Sequence, residues 1–402
     1  MTLTKDKITV FYFARWYPNR YDPMFGLFIQ RHAEAVALFG NVGVVYVHAV
    51  TDQSNPKKPE IVYKLQNKVH TVEVYYPAAI SKTAFLNQFI AITRFYKACY
   101  LGKKRLTKEI GNPDLLHIHI LTRLGIIGLF YRWFYGIPFI VSEHWSRYLE
   151  LTGSFNGRLR KFITRLVIKN ASFVTTVTQN LAHAMQRHHL TGAPYVVMPN
   201  VVDSAFFDKT IVPKQPDGHK TFIHVSCFED KSKNISGLLR AVKLLAGKRN
   251  DFRLVLVGHG MDFLRMKGYA EELGIPGNML NFTGLLQGKD LVDQMSRADM
   301  LLVTSHYENL PVVIIESFVL GIPVLSTRVG GIAEIIDDSN GLLISPGDET
   351  ELVAKMDQFL DGEIKFDSAV IRKQSRQRYT PEAVGKQLID LYQQVLTNKI
   401  RR

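Results

Sequence analysis

Two carboxylates lie eight positions apart in the second half of the chain, at Glu308 and Glu316. Glu308 belongs to the polar segment 304–309, whereas Glu316 interrupts an apolar stretch that otherwise suits a helix. Because an α-helix turns once in about 3.6 residues, this spacing corresponds to about two turns. The two acids therefore either reach a common ligand, or serve as a capping residue and an ordinary surface residue. The spacing alone favours the second interpretation, since short motifs often match by chance.

The elements around these acids follow a strand–loop–helix–strand order. An apolar run at 300–303 predicts a buried strand of a parallel sheet, and Pro311 suits a first helical turn because it has no N–H to leave unpaired. The helix is predicted over 312–320 with Gly321 as its stop, and a second strand over 323–326. Ligands of open α/β sheets bind at the carboxyl ends of strands, and a helix start there favours phosphate. This unit therefore predicts an anion site beside the first acid.

The context of the two acids is more specific than their spacing. The segment ENLPVVIIESFVLGIPVLSTRVGGIAEII, which begins at Glu308, resembles the E-x7-E region of family 4 glycosyltransferases, which have the GT-B fold. The likeness includes the Gly-Ile-Pro-Val strand and the Gly330-Gly331 turn. It implies that Glu308 is a catalytic residue contacting the donor sugar and that Glu316 binds the ribose hydroxyls. It further implies that the helix start binds the donor, through Asn309, Leu310, Val312 and Val313.

A second part of the donor site is implied by the segment that opens the second half. Lys233, followed by asparagine, matches the phosphate-binding lysine of the family, but the position of its partner arginine holds Cys227. One cation facing a diphosphate is weaker than two, so helix N-termini are expected to carry more of the charge. Lys231 replaces the missing arginine only if the loop bends differently. Further on, Gly258 and Gly260 match the family's glycine loop near the nucleobase.

The first half offers two further site residues. Gly26 lies between a strand at 8–13 and a helix at 27–40, where a glycine is either a plain turn residue or a point of close approach for a phosphate or sugar. The resemblance favours donor contact. His144 follows a strand at 137–141 and matches the family's histidine at the catalytic cleft, where an imidazole hydrogen-bonds the donor sugar or steadies the reacting centre. Its neighbour Glu143 is expected to orient it.

Two more histidines, His117 and His119, are spaced so that both point to the same face of a strand. A third metal ligand is not evident, so structural or acceptor-side roles are favoured over a metal site. The sequence also contains no D-x-D triplet, which argues against a metal-dependent sugar transferase. We therefore expect no metal and no cofactor beyond the nucleotide-sugar donor.

The net charge of +14 is unevenly distributed. Residues 1–202 hold 25 Lys and Arg against 10 Asp and Glu, a balance of +15, whereas residues 203–402 hold 25 against 26, a balance of −1. Such asymmetry predicts an anionic partner for the first half, either a membrane or a nucleic acid. Because no nucleic-acid-binding motif is visible, a membrane surface is favoured. The two cysteines lack metal-type spacing, which indicates free thiols in a reducing compartment.

One predicted helix of the first half could either pack on the sheet or lie on a membrane surface. Residues 81–108 carry an apolar stripe at helical spacing and a basic end, and the stripe comprises Phe85, Phe89, Ile92, Tyr96 and Cys99. We expect the stripe to pack on the sheet while the basic residues are solvated; the alternative is a helix on a membrane surface. Upstream, residues 51–69 are predicted to form a polar loop. The longest apolar span, 125–141, is too short for a membrane helix, and no signal peptide is visible.

Together these features predict an α/β protein with two Rossmann-like, doubly wound parallel-sheet domains facing a cleft, the GT-B fold. The expected bounds are 1–202 for the acceptor domain, 203–380 for the donor domain and 381–402 for a helix crossing back. The implied function is a retaining, metal-independent hexosyltransferase that acts on a glycan or lipid-linked acceptor in cell-surface polysaccharide synthesis. We expect it in the cytoplasm, peripheral to the inner face of the cell membrane. The alternative is a non-catalytic nucleotide-sugar-binding protein, and nucleic-acid binding is the least favoured.

Overall fold

The computed structural model describes residues 7–51, 56–79, 83–121, 123–210 and 218–400. The chain divides into two compact units. Unit 1 comprises Met1–Val177, Ala182–Val201 and Pro381–Arg402, and unit 2 comprises Thr178–Leu181 and Val202–Thr380. Residues 81–82 of the predicted helix lie outside the described residues. So do residues 211–217, which belong to the polar run 209–220 that predicts a linker between the domains.

The strands of the described residues are β1 Thr9–Ala14, β2 Asn41–Val50, β3 Glu60–Gln66, β4 Val69–Pro77, β5 Leu115–His119, β6 Phe139–Glu143, β7 Val174–Thr176, β8 Tyr195–Val197, β9 Lys220–Val225, β10 Phe252–Val257, β11 Leu280–Gly284, β12 Met300–Val303, β13 Val324–Thr327 and β14 Gly341–Ile344. The helices are α1 Leu27–Ala37, α2 Ala84–Ile110, α3 Leu124–Tyr135, α4 Arg158–Asn170, α5 Gln179–Arg187, α6 Ser204–Asp208, α7 Asp230–Lys233, α8 Ile235–Ala246, α9 Phe263–Glu272, α10 Gly288–Met295, α11 Val312–Val319, α12 Glu349–Leu360, α13 Ser368–Tyr379 and α14 Pro381–Ile400.

Unit 1 is built on a sheet with strand order β3-β4-β2-β1-β5-β6-β7-β8. All neighbouring strands pair in parallel except β3 and β4. From β1 the chain builds outwards to β2 on one side, and later to β5 on the other. The topological switch point therefore lies between β1 and β5, where ligands of doubly wound sheets bind.

The edge strand β3 corrects the prediction of a polar loop over 51–69. Glu60–Gln66 pairs antiparallel with β4, and its apolar residues Ile61, Tyr63 and Leu65 alternate with polar ones. Because the strand lies at a sheet edge, most of its side chains remain accessible, with Leu65 59% exposed. The alternation is the period-two signal of a strand, and the surrounding polar composition obscured it.

The helix α2 corrects a second expectation, that the whole apolar stripe packs on the sheet. In its second half the stripe residue Cys99 is buried, and Ile92 and Tyr96 are partly buried. In its first half Phe85 is 84% exposed and Phe89 is 59% exposed. The stripe therefore covers the sheet only where the helix lies against it, and two phenylalanines remain accessible in the chain as described.

Unit 2 has the strand order β11-β10-β9-β12-β13-β14, with all pairs parallel. The predicted βαβ unit is confirmed as β12, α11 and β13, with Gly321 in the left-handed region at φ 80° just after the helix. Here too the chain winds from β9 to β10 on one side and later adds β12 on the other. The switch point of unit 2 therefore lies between β9 and β12.

The terminal helix α14 belongs to the fold of unit 1 and packs on α1. The spacing of its apolar residues predicts one buried face. That face is buried, with all four members below one-tenth exposed: Leu388, Leu391, Tyr392 and Val395. The apolar span 125–141 forms most of α3, a turn at Gly136 and the first part of β6. Among the helices of the described residues, none combines the length and the apolarity that a membrane crossing needs.

Candidate active site

Two charged side chains meet at the switch point of unit 2. Lys233 ends the short helix α7 that follows β9, and Glu308 lies in the loop that follows β12. Lys233 Nζ donates a hydrogen bond to Glu308 Oε1, and Ser305 Oγ donates to the same oxygen at 3.0 Å. The two charged side chains are 18% and 13% exposed. The predicted phosphate-binding cation and the predicted catalytic acid therefore form one charge-assisted pair.

Several hydrogen bonds fix the loops that carry this pair. Thr304 Oγ1 donates to the carbonyl of Lys233 at 3.0 Å, and Thr327 Oγ1 donates to the carbonyl of Ser305 at 2.7 Å. The N–H of His306 donates to the carbonyl of Ser232 at 2.8 Å. The loops after β9, β12 and β13 are thus joined to one another, which positions the charged pair before any ligand binds.

The charge of the lysine is maintained by its partner. Burial, the largest single influence, lowers the pKa of the Lys233 ammonium. The Glu308 carboxylate, together with Cys227 and Glu229, more than offsets burial, and the pKa is raised above its ordinary value. Lys233 is therefore cationic throughout the physiological range. A permanent positive charge at the carboxyl edge of a parallel sheet suits a diphosphate ligand.

Helix α11 begins beside the acid. Its N-cap is Pro311, which makes no side-chain capping bond, and Val312 and Val313 occupy its first turn, where backbone N–H groups lack intrahelical acceptors. Glu308 therefore does not cap the helix. Glu316 is 6% exposed, which rules out the interpretation that it is an ordinary surface residue. A buried carboxylate in an apolar helix requires polar partners.

The glycines of the predicted donor loop have a packing role that their sequence did not indicate. A Cβ on Gly258 would lie 1.9 Å from the carbonyl oxygen of Ser226, and one on Gly260 would lie 2.7 Å from the backbone of Phe228. A Cβ on Gly330 would lie 2.0 Å from the carbonyl oxygen of Glu308. These glycines let neighbouring loops approach at the sheet edge; their contact with a nucleotide stays a prediction.

The remaining predicted residues of unit 2 take definite positions. Asn309 and Leu310 are both 8% exposed, and Asn309 Oδ1 accepts a hydrogen bond from Thr178 Oγ1 at 3.0 Å. Cys227 is exposed and carries a free thiol. Lys231 is also exposed, away from the buried pair that its neighbour Lys233 makes. It does not replace the missing arginine in this conformation.

In unit 1, Gly26 lies just before α1, with a left-handed φ of 71°. A Cβ at this position would lie 2.5 Å from the backbone carbon of Trp16. The turn therefore requires glycine both for its conformation and for the close approach of another backbone segment. This is a sufficient structural reason for the residue, and donor contact stays a prediction.

Four histidines of unit 1 form a cluster at its switch point, with three of them buried and His144 partly buried. His117 and His119 end β5 with ring centroids 4.1 Å apart, as their spacing on one face predicts. His144 stacks 6.2 Å from His119 and lies 5.7 Å from His32 of α1. All four pKa values are lowered, chiefly by burial, that of His117 to about 3. The cluster is therefore neutral at physiological pH.

The members of the cluster differ in their partners. His117 binds the hydroxyls of Tyr392 and Ser142, each at 2.7 Å, whereas neither ring nitrogen of His119 has a hydrogen-bond partner within the described residues. The next residue, Ile120, has a φ of 68°, an outlier for a β-branched side chain. Orphaned polar atoms and backbone strain concentrate at functional sites. In the described chain no three His, Cys, Asp or Glu side chains are arranged to share a metal ion.

Glu143 positions the segment that carries His144. The carboxylate is fully buried and accepts hydrogen bonds from the N–H groups of Leu121, His144 and Trp145, each at 2.9 Å. Burial raises its pKa above the usual value despite these three donors. Glu143 thus orients the backbone at His144 and ties it to the strained turn after β5. The role of His144 in sugar transfer stays a prediction.

Acid sensitivity follows from the histidine cluster. The unfolded chain takes up protons below about pH 6.5, whereas the folded histidines do not, so stability falls as the pH drops through that value. We expect His117, whose pKa is lowered to about 3, to cost about 2 kcal/mol at pH 5, and the other three histidines to act in the same direction. His119→Phe, which also removes two buried ring nitrogens that have no hydrogen-bond partner among the described residues, should reduce the slope of unfolding free energy against pH by about one proton.

Denaturant unfolding between about pH 7.5 and pH 5 measures this slope, with a substitution at an exposed histidine, His259→Phe, as the control. An unchanged slope in His119→Phe contradicts the prediction.

Sequence reasoning missed the residues that hold the site together. Ser305 and Thr304 lie in the loop identified around Glu308. Ser305 donates within that loop to Glu308, whereas the acceptor of Thr304 is the carbonyl of Lys233, which is 71 positions away in the sequence. Tyr392 lies on the predicted apolar face of α14, where only its hydroxyl hinted at a polar partner. The salt bridge of Lys233 with Glu308 joins residues 75 positions apart, and only the matching of two separate motifs could have suggested it.

These features define the class of the protein. Two doubly wound α/β units, one with a cation, an acid and a helix start at its switch point, form the GT-B architecture of glycosyltransferases. The family models agree: Glycosyl transferase 4-like domain matches residues 33–201, and Glycosyl transferases group 1 matches residues 208–378. The chain belongs to this glycosyltransferase family, so the predicted family is confirmed. The roles of the two glutamates in the E-x7-E segment stay predictions.

Known relatives and solved structures are consistent with this assignment. An uncharacterized glycosyltransferase of Methanocaldococcus jannaschii is 26% identical over 72% of this chain and 77% of the relative. Phosphatidyl-myo-inositol mannosyltransferase of Mycolicibacterium smegmatis is 26% identical over 77% of this chain and 78% of the relative. The sucrose-phosphate synthase structure from Thermosynechococcus elongatus covers 98% of this chain and all of its own, with a TM-score of 0.74 at 18% identity. HepE from Anabaena, solved with UDP-glucose, covers 96% of this chain and 100% of its own, with a TM-score of 0.68 at 16% identity.

Proposed function

We propose that this glycosyltransferase moves a hexosyl group from a nucleotide-sugar donor to a glycan or lipid-linked acceptor, with retention at the anomeric carbon and without a metal ion. The observation that carries the proposal is the pair of Lys233 and Glu308 at the switch point of unit 2, next to the start of α11. It combines a diphosphate-binding cation with an acid suited to sugar hydroxyls. The UDP-glucose complex of HepE and the lipid acceptor named for the mannosyltransferase support the choice of substrate classes.

The leaving group is the first chemical problem of such a transfer. Departure of a nucleoside diphosphate leaves negative charge on its phosphate oxygens, which preorganised cations and N–H groups stabilise. Lys233 and the first-turn N–H groups at Val312 and Val313 supply these charges. The ammonium and the N–H groups carry their positive charge before the reaction begins. They therefore stabilise the leaving group as a metal ion does in metal-dependent transferases. Glu316, buried on the second turn, supplies acceptors for the ribose hydroxyls.

The stereochemical proposal rests on the state of Glu308. An enzyme that retains configuration through a covalent intermediate needs an unencumbered carboxylate nucleophile. The Glu308 oxygen already accepts bonds from an ammonium and a hydroxyl, and this reduces its nucleophilicity. Glu308 is better suited to hold the sugar and to balance the developing oxocarbenium charge. We therefore favour attack of the acceptor hydroxyl on the anomeric carbon from the same face that the nucleoside diphosphate leaves.

The acceptor and the cellular location are proposed from the surface of unit 1. Helix α4 exposes Leu159 and Phe162, at 71% and 64%, among the exposed Arg158, Arg160 and Arg165. Residues 151–202 contain no acidic side chain. A basic surface with exposed apolar residues suits an anionic bilayer. We propose that the protein works at the cytoplasmic face of the membrane, on an acceptor for surface glycan synthesis.

A screen of nucleotide sugars by thermal unfolding tests the donor proposal. One donor at about 100 times its Kd should stabilise the wild-type protein by about 2.7 kcal/mol, which corresponds to several degrees in Tm. Glu316→Gln should need about 10–100 times more donor for the same shift, because a buried amide replaces an acceptor of two hydroxyls. The exposed Glu363→Gln is the matched control.

Three results decide the outcome. The proposal fails if no nucleotide sugar shifts the Tm, or if Glu316→Gln responds like Glu363→Gln. Release of nucleoside diphosphate in the presence of an acceptor distinguishes the enzyme from a non-catalytic binding protein. The replacement at Cys227 is the one feature that favours the binding protein.

A further inference from the structure

An apolar groove lies between α2 and α3 of unit 1, away from the histidine cluster. Its volume is about 370 Å³, within the range of about 300–1,000 Å³ that is typical of ligand pockets. Buried side chains of Phe13, Cys99 and Ile127 line it, and the exposed rings of Tyr100 and Phe130 stand at its margin. A groove with this lining accepts a hydrocarbon more readily than a sugar.

The surface next to the groove is rich in accessible aromatic residues. On α3, Phe130 is 45% exposed, Trp133 55%, Phe134 72% and Tyr135 63%. Contiguous exposed aromatic surface is uncommon in a protein that contacts only water and marks an interaction site. Aromatic rings of this kind favour the boundary between water and a bilayer. The groove therefore opens on a surface suited to lipid.

One charged side chain specifies the kind of lipid. Among the described residues that line the groove, the charged one is Lys103. Its ammonium has neutral partners, the amide oxygen of Asn112 at 3.4 Å and the ring of Tyr131 at 5.6 Å from the centroid. The exposed Lys104 and Lys108 add positive charge further along α2. A cation at the edge of an apolar groove is complementary to a hydrocarbon chain that ends in a phosphate.

We infer that this groove binds one acyl chain of an anionic phospholipid, with Lys103 paired to the phosphate. The inference deepens the proposed membrane association, on which it rests, by naming a site that takes a single lipid chain out of the bilayer. General attraction to a charged membrane surface does not require such a site. If the groove is a lipid site, a single lipid below its critical micelle concentration binds to the isolated protein, and binding needs both the hydrocarbon chain and the phosphate.

Calorimetric titration with a short-chain lysophosphatidylglycerol, kept below its critical micelle concentration, is the direct test. The wild-type protein should bind it, whereas glycerol phosphate, which lacks the chain, and the zwitterionic lysophosphatidylcholine should bind at least tenfold more weakly. Ile126→Trp fills the groove from a residue that is 36% exposed and should reduce affinity at least tenfold. Ile61→Trp, at a residue 42% exposed on β3, should leave it unchanged.

A second pair of variants isolates the phosphate contact. Lys103→Gln should weaken binding about threefold to tenfold, whereas Lys97→Gln, on the same helix but outside the groove lining, should not. Tyr100→Ala, at an exposed position, supplies a groove variant with little risk to folding. Unchanged far-ultraviolet circular dichroism and Tm confirm that each variant is folded.

Sedimentation with phosphatidylglycerol vesicles separates this inference from the membrane association beneath it. If vesicles bind but the single-chain lipid does not, or if Ile126→Trp and Tyr100→Ala both bind it normally, the groove assignment is overturned while membrane association stands. A tenfold preference for farnesyl phosphate, or a lipid-free dimer that Ile126→Trp dissociates, also overturns it, because the occupant is then an isoprenoid or a second copy. If neither vesicles nor single-chain lipids bind, both proposals fail.

Discussion

A Glu308→Gln variant is expected to transfer sugar about 10²–10³-fold more slowly than the wild-type protein, a loss typical of removing one charge-stabilising group. The amide keeps the shape of the side chain and accepts from Ser305, but it has no negative charge to balance an oxocarbenium-like centre. Initial rates with saturating donor and acceptor measure the effect. The exposed Glu363→Gln should transfer at the wild-type rate.

The same variant should keep most of its affinity for the nucleoside diphosphate. Lys233 and the start of α11 remain, and the lysine loses the carboxylate that competes for it. Binding of the nucleoside diphosphate by calorimetry is the second readout. A Glu308→Gln protein with normal transfer rates refutes the catalytic role, and one with no nucleotide binding indicates that the loop has rearranged.

Removing the cation should damage both binding and chemistry. We expect Lys233→Met to raise the KM for the donor about tenfold or more and to lower kcat about 100-fold, because the ammonium stabilises the departing diphosphate more than the intact donor. Lys231→Met is a closely matched control, since it removes the same charge two positions away on an exposed side chain. Equal effects of the two substitutions would show that only the overall charge matters.

Stability gives an independent test of the pair. Lys233→Met leaves Glu308 with a charge that is largely buried and lacks its ammonium partner, which should lower the free energy of unfolding by about 2–3 kcal/mol, less than for a fully buried pair. In the double variant with Glu308→Gln much of this loss should be recovered. Denaturant titration of the four proteins completes the cycle, and strict additivity would contradict the pairing.

The sequence predicted the parts of the fold that local patterns specify. The run at 300–303 and the helix beginning beyond Pro311 contain their own start and stop signals, so β12 and α11 were predicted with nearly correct bounds. β3 was missed because an exposed edge strand lacks the apolar content of a buried one. Phe85 and Phe89 fit a helical stripe, but periodicity does not reveal how far a helix extends beyond the sheet it covers.

For the candidate site as well, the sequence identified residues but not the contacts that the fold creates between them. Residue types and the family resemblance identified Lys233, Glu308 and Glu316, but not that the first two form an ion pair with each other. The need for glycine at position 26 arises from the backbone of Trp16, a tertiary contact that a turn signal does not contain. The hydroxyl bonds of Thr304 and Thr327 depend on register between strands that only the folded sheet brings together.

The pairing of lysine with glutamate also determines which anions this site excludes. Because the Lys233 ammonium is already paired with the Glu308 carboxylate, a small ion such as inorganic phosphate has to compete with the carboxylate for it. Binding of that ion alone would leave the carboxylate buried without its ammonium partner. A nucleotide sugar supplies a partner to each, phosphate oxygens for the ammonium and hydroxyls for the acid. Discrimination against abundant simple anions therefore follows from an energetic penalty on ligands that satisfy only one of the two charges.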